Sequence, residues 1–237
     1  MIRNSIYLIL LAVFLSSVAS IACKSKISTS DTSDIKTAAE ILNSTGIAMQ
    51  SISSFKFKLT HENLQGTRIG DLILSEANGT ISSDNSMLLE GKFIFGNLTL
   101  SSGFSTVGGN SFFLNPLTQN WEMSEISTSP LAFFDAQKGI QNILSTIKYP
   151  EFASDSKKYW NIEGFMPSSA LSPLIGDTIN NDVKVIVWID KKSFYLTRAV
   201  ISGKLNKYDD SKDESIIQRI ISLSRFDEKV IIENPLK

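Results

Sequence analysis

One histidine, one cysteine and scattered carboxylates are all that this 237-residue chain offers for side-chain chemistry. His61 stands beside Glu62 at what reads as a strand end, and any Ser-His-Asp relay would have to use it. No nucleophile motif accompanies it. The chain has no Gly-x-Ser-x-Gly, no Walker A loop, no Gly-x-Gly-x-x-Gly and no His-Glu-x-x-His. The carboxylate pair Asp209-Asp210 lies in a charged loop, where solvation is its ordinary role. A lone cysteine supplies neither a zinc cluster nor an internal disulfide. The expectation is a protein that is not an enzyme and that needs no cofactor and no metal.

Cys23 has a different use. Ile6 to Val18 is almost uninterrupted apolar sequence behind Arg3, and small residues lead to Ala22 and Cys23. That order is the n-region, h-region and cleavage site of a secretory signal. The run falls short of the about 20 apolar residues of a comfortable membrane span. Residues 1–22 are therefore expected to be a signal peptide, with Cys23 lipidated after cleavage. Ser20 stands where a lipobox usually has Leu. Loss of residues 1–22 removes one charge, Arg3, and moves the net charge from −1 to −2. There is no basic excess to recruit nucleic acid or an acidic membrane face, and on the chain's overall charge neither is expected as a partner. Residues 23–34 are Lys-, Ser-, Thr- and Asp-rich and read as a flexible tether. Stable anchoring takes two acyl chains or more, palmitate being a typical one.

The elements that follow are mostly strands. Asp34 to Ser53 carries an apolar stripe from Ile35 to Ile52 and predicts a helix capped by Asp34. Phe55, Phe57 and Leu59 then alternate with Lys56, Lys58 and Thr60, the mark of a half-buried strand. Asn78-Gly79, Gly96-Asn97 and Gly108-Gly109 are turn or bulge signals between further apolar runs. Ser129 to Ile147 is the second helical region, with Ile140, Ile143, Leu144 and Ile147 at helical spacing. Val183, Val185, Val187 and Ile189 alternate with Lys184, Ile186, Trp188 and Asp190. Two strand-like runs close the chain, at Phe194 to Leu205 and Ser215 to Arg225, with Leu196 and Val200 expected on one face of the first. About ten antiparallel strands and two helical insertions account for residues 35–237 as a single domain. A sheet that large curls or closes.

One stretch carries a family resemblance. It reads Tyr-Trp-Asn-Ile-Glu-Gly-Phe-Met-Pro from Tyr159, a Leu-rich turn to Ile175, then a Val-rich strand ending Trp188-Ile189-Asp190. With Asn115-Pro116 leading to Trp121, and Asp135 to Leu144 before it, this order resembles the LppX/LprAFG family of bacterial lipoproteins. The resemblance implies an α+β fold. Its core is a single large curved antiparallel sheet, a LolA-like half-barrel, with helices packed on the concave face. It also implies a lipid or glycolipid ligand in an apolar cavity, carried or transferred within the cell envelope. The protein would be a monomer anchored to the outer face of the cell membrane, with room for a membrane transporter as partner.

Moving a two-chain lipid through water exposes on the order of 30 methylenes at about 0.8 kcal/mol each, so a carrier must enclose them. Large apolar residues on the sheet and helices are the candidates for lining such a space. They are Phe93, Phe95, Leu98, Phe112, Leu114, Trp121, Phe133, Phe134, Ile140, Leu144, Trp160, Ile162, Leu171, Leu174 and Trp188. Each could equally be ordinary core. Two other functions fit the same pattern: a carrier or acceptor of lipoprotein acyl chains, like LolA or LolB, and a solid-core structural or binding protein of the envelope. An apolar void of many hundred cubic ångströms would separate both carriers from the solid core, because a cavity costs stability.

Overall fold

The computed structural model describes residues 36–236 apart from 70–71, 83, 85, 125–135, 155 and 210–216. The signal peptide, Cys23, the tether and the candidates Phe133 and Phe134 lie outside the described residues. Residues 36–237 form one compact unit that holds every described helix and strand, and hence its own core.

The chain enters through helix α1 (Ala38–Gln50). Thr37, not Asp34, is its N-cap. The Thr37 hydroxyl accepts the Glu40 amide at 3.2 Å, and the Glu40 carboxylate takes the Thr37 amide at 2.7 Å. This reciprocal capping box starts the helix three residues later than the stripe suggests. Its buried face is Ala38, Ile41, Leu42, Thr45, Gly46 and Met49. Gly46 permits a close crossing. A Cβ there would meet the Gln141 side chain at 2.8 Å, on helix α2 (Ala136–Ser145).

Between the helices run β1 (Phe55–Glu62), β2 (Thr67–Ile69), β3 (Leu72–Ile81), β4 (Met87–Phe95), β5 (Leu98–Val107), β6 (Asn110–Leu114) and β7 (Trp121–Ser124). After α2 come β8 (Lys148–Ser154) and β9 (Tyr159–Pro167). A 3₁₀ turn (Ser168–Leu171) then runs into the short α3 (Ser172–Ile175). The strands β10 (Asp182–Asp190), β11 (Leu196–Ser202) and β12 (Gln218–Ser224) complete the domain. All twelve strands form one antiparallel sheet in the order β7-β6-β5-β4-β3-β1-β12-β11-β10-β9-β8, with β2 paired to β3. Two meanders are thus joined along β1 and β12, first strand to last. Among the described residues no helix is long and apolar enough to cross a membrane.

The register sorts side chains onto two faces. Phe57 pairs with Gly79 and Leu223, Leu89 with Gly79 and Phe104, and Val187 with Ile162 and Ala199. These residues share the concave face, beneath α1 and α2. Asn78-Gly79 is not a turn: it lies inside β3, where the missing Cβ makes room for the Phe57 ring. Gly96-Asn97 and Gly108-Gly109 do turn, with left-handed glycines. A bulge moves Leu196 opposite Ile189, so it joins Ala199 and Ile201 on the concave face instead of Val200.

Candidate functional site

The helices do not close fully onto the sheet. Between them lies an apolar cavity of about 200 Å³. In the first meander its floor is Phe55, Phe57, Leu59, Leu74, Leu89, Phe93 and Phe104. In the second meander and β12 it is Val185, Val187, Ala199, Ile201, Ile221 and Leu223. The roof is Ile140, Ile143 and Leu144 of α2, Ile147 just beyond it, and Leu171 and Leu174 of the turn segment. Gly164 in β9 lets that roof sit low, since a Cβ there would lie 2.7 Å from both Ile147 and the Lys148 carbonyl. An empty void of this size costs on the order of 5 kcal/mol at roughly 24 cal/mol per Å³. That is comparable with the about 5–15 kcal/mol by which a whole domain is stable. The volume is below the many hundred cubic ångströms expected to separate a carrier from a solid-core protein.

Thr67 is the one polar residue in the lining, and it belongs to a buried network at one end of the cavity. Arg219 of β12 faces inward there and is 2% exposed. Its Nε donates to Thr67 Oγ1 at 2.9 Å, one terminal nitrogen donates to the Gly203 carbonyl at 3.1 Å, and the other pairs with the buried Asp209. Asp209 also accepts the Leu205 and Asn206 amides at 2.7 and 3.3 Å. His61 lies 2.7 Å from the Ser75 carbonyl through Nδ1 and 2.8 Å from Thr67 Oγ1 through Nε2. A carbonyl only accepts, so Nδ1 carries the proton in the neutral ring and Thr67 donates to Nε2. Burial pushes the His61 pKa down, and Arg219 adds to that against the opposing pull of the Ser75 bond and Asp209. Burial likewise lowers Arg219, with Asp209 opposing. The network is satisfied internally and holds no free nucleophile. Among the described residues no cluster of His, Cys, Asp and Glu could hold a metal ion.

Of the fifteen residues singled out from the sequence, the thirteen among the described residues separate into four groups. Phe93, Ile140, Leu144, Leu171 and Leu174 line the cavity. Trp160 and Ile162 face the same side but are packed core: Ile162 is 1% exposed and Trp160 lies against Phe194 at 4.8 Å. Phe95 and Leu98 flank the Gly96-Asn97 turn beyond the end of the cavity and are more than half exposed. Phe112, Leu114, Trp121 and Trp188 are on the convex face. Their strand pairs show this: Phe112 opposes Ser105, while Phe113 opposes Phe104 with rings 5.2 Å apart. Leu114 opposes Gly103 and Trp121, whose indole lies over Gly103. Trp188 lies beneath the Arg198 guanidinium at 5.1 Å. The error is one of parity: adjacent aromatics such as Phe112-Phe113 point to opposite faces, and the outward one was chosen. Phe55, Phe57, Leu59 and Leu89 were missed as lining. The signal for them was the small residues Ala77, Gly79 and Gly91, which leave space on the facing strands.

The architecture is an open antiparallel half-barrel with helices over an apolar cavity. Two solved structures share this fold. LprF from Mycobacterium bovis superposes with a TM-score of 0.63 at 14% identity, covering 84% of this chain and 96% of that one. The Mycobacterium tuberculosis lipoprotein LppX superposes at 0.57 and 14% identity, covering 83% and 98%. No family model matches the sequence, and no curated protein matches it by sequence. The resemblance read from the Tyr159–Asp190 stretch is thus met at the level of fold.

Proposed function

We propose that this chain is a lipid-anchored envelope lipoprotein. On this reading it binds a lipid or glycolipid by its acyl portion and carries or transfers it at the outer face of the cell membrane, without catalysing a reaction. The apolar cavity is the observation that carries this reading. A scaffold gains nothing from a void that costs on the order of 5 kcal/mol, whereas a hydrocarbon chain recovers that cost by filling it. The volume suits a single chain, and a second chain requires the α2 roof to lift. The fold shared with two mycobacterial lipoproteins supports an envelope location. Acylation of Cys23 supplies the anchor, and a membrane transporter would be the partner that loads or unloads the cavity. The domain acts as a monomer.

The test is native mass spectrometry of the chain from Ser25 onward, purified from a membrane-containing host. Lipid that co-purifies, and is lost on Leu144→Asp or Phe93→Asp with folding retained, is the expected result. A clean apo mass with no uptake of added phospholipid or glycolipid overturns the reading and leaves a tethered structural protein.

A further inference from the structure

One end of the half-barrel concentrates lysines and aromatic rings. Lys36 precedes α1, Lys157 and Lys158 form the β8–β9 connection, and Lys191 and Lys192 form the β10–β11 connection. The connections touch: the Lys191 amide donates to the Lys158 carbonyl at 3.0 Å. Lys36 Nζ sits 4.4 Å above the Phe194 ring, Phe194 lies 4.8 Å from Trp160, and Lys158 Nζ is 5.0 Å from Tyr159. Lys36, Lys157, Lys158 and Lys192 are exposed. Five cations from three separate elements therefore meet around three aromatic rings, in a chain whose net charge is −1.

Two carboxylates border the patch, Glu40 near Lys36 and Asp190 near Lys158, so five cations face two anions there. Asp190 accepts the Lys192 and Ser193 amides, each at 3.0 Å, and the Ser193 hydroxyl at 3.2 Å. Asp227 accepts the Ser53 amide at 2.7 Å and the Tyr195 hydroxyl at 3.0 Å. The Asp190 turn also holds Phe194 at φ +61°, closed by a bond from the Phe194 amide to the Asp190 carbonyl at 2.9 Å. A bulky residue in the left-handed region is strained, and such strain persists where the surroundings enforce it. Here it sets the Phe194 ring against Trp160 and under Lys36.

We propose that this end of the domain docks on an anionic bilayer surface, with the exposed Lys36, Lys157, Lys158 and Lys192 facing the lipid phosphates and Tyr159 and Phe194 at headgroup level. Two observations select a membrane as the occupant. Lysines with interfacial aromatics match the chemistry of a bilayer boundary. Lys36 also stands thirteen residues after Cys23, the proposed point of acylation. The anchor reading holds the domain near a bilayer, and the patch fixes which end turns towards it. This rests on the attachment proposed above, but its test does not require acylation.

The experiment uses the unacylated chain from Ser25 onward and co-sedimentation with two kinds of vesicle, phosphatidylcholine alone and an equal mixture with phosphatidylglycerol. Binding to the anionic vesicles only, weakened by salt, is expected. Each lysine at the surface contributes roughly fivefold to binding. Lys158→Glu/Lys192→Glu should then lower the partition coefficient by at least about tenfold. The control pair Lys58→Glu/Lys207→Glu makes the same charge change away from the patch and should leave binding within about twofold. Equal loss in both pairs, or no preference for the anionic vesicles, overturns the proposal. Lipid found in the cavity by mass spectrometry should be unchanged in Lys158→Glu/Lys192→Glu, so failure of docking and failure of carriage read out separately.

Discussion

The two halves of the sheet use the same alternation for opposite ends. Strands β9 and β10 present Ile162, Val183 and Ile189, which join Ile41, Leu42 and Met49 in one continuous core, while Met166, Val185, Val187 and Ile201 beside them border the cavity. Across β1, strands β3 and β4 have a separate cluster of four buried residues, Leu74, Ala77, Leu89 and Phe93. There Gly79 and Gly91 face the concave side with the Phe57 ring and Leu74 over them, and the cavity lies above those side chains. Ile162, Val183 and Ile189 pack as a solid; the aromatic and leucine side chains of the first meander border the void. The difference teaches that concavity alone does not hollow a core. What matters is whether large residues are opposed by others or by nothing.

Truncation in the solid half should break this comparison most clearly. Ile162→Ala opens a new void among packed neighbours and should cost about 2–5 kcal/mol, read from urea unfolding. Leu89→Ala removes a similar volume from a wall that already borders empty space. It has fewer contacts to lose, and about 2 kcal/mol or less is expected. Equal costs would mean that the first meander is as tightly packed as the second.

Additions should act with opposite signs. Ala77→Leu places a side chain into existing space and should stabilise by about 0.5–2 kcal/mol while reducing lipid uptake. Ala38→Leu forces the same atoms into the solid core beneath α1 and should cost about 1–3 kcal/mol. Thermal unfolding with and without lipid measures both. If Ala77→Leu destabilises, the wall has no room to spare.

Much of this division was legible in the sequence, and its limits are physical. The regular spacing of Val183 to Ile189 and of Ile140 to Ile147 marked faces that are buried, although Ile186 and Trp188 make the other face of that strand apolar too. Paired aromatics defeated that logic: Phe112 and Phe113 are both large, and only strand pairing across β5 tells which one faces inward. Phe112 is 1% exposed on the convex side, so hydrophobicity alone could not rule it out. The buried Arg219–Asp209 pair was equally invisible, since Asp209 lies in what reads as a solvated loop and meets Arg219 only once β12 is in place. Thr37 displaces Asp34 as cap because Glu40 stands three residues after it, a signal present in the sequence.

The smallest expected effect sits at the hollow half's polar end. The His61 pKa is held below its ordinary value of 6.5 in the folded state, chiefly by burial. Above 6.5 both folded and unfolded chains have a neutral ring, and its contribution to stability is complete. As pH falls below 6.5 the unfolded chain takes the proton first, so stability declines until the folded pKa is passed. One proton limits the slope to about 1.4 kcal/mol per pH unit. This window lies above that of the carboxylates Asp190 and Asp227, whose lowered values place their loss at more acidic pH. Protonation also turns Nε2 from acceptor to donor. Thr67 must then accept from both His61 and Arg219 and swing its own proton towards the apolar lining. The penalty therefore falls on the cavity wall and not on the solid half. His61→Gln removes the titration and should flatten urea midpoints between pH 6.5 and the onset of carboxylate protonation near about 4. A decline that persists unchanged in His61→Gln would place the acid-sensitive group elsewhere, and the two halves would no longer differ in their response to pH.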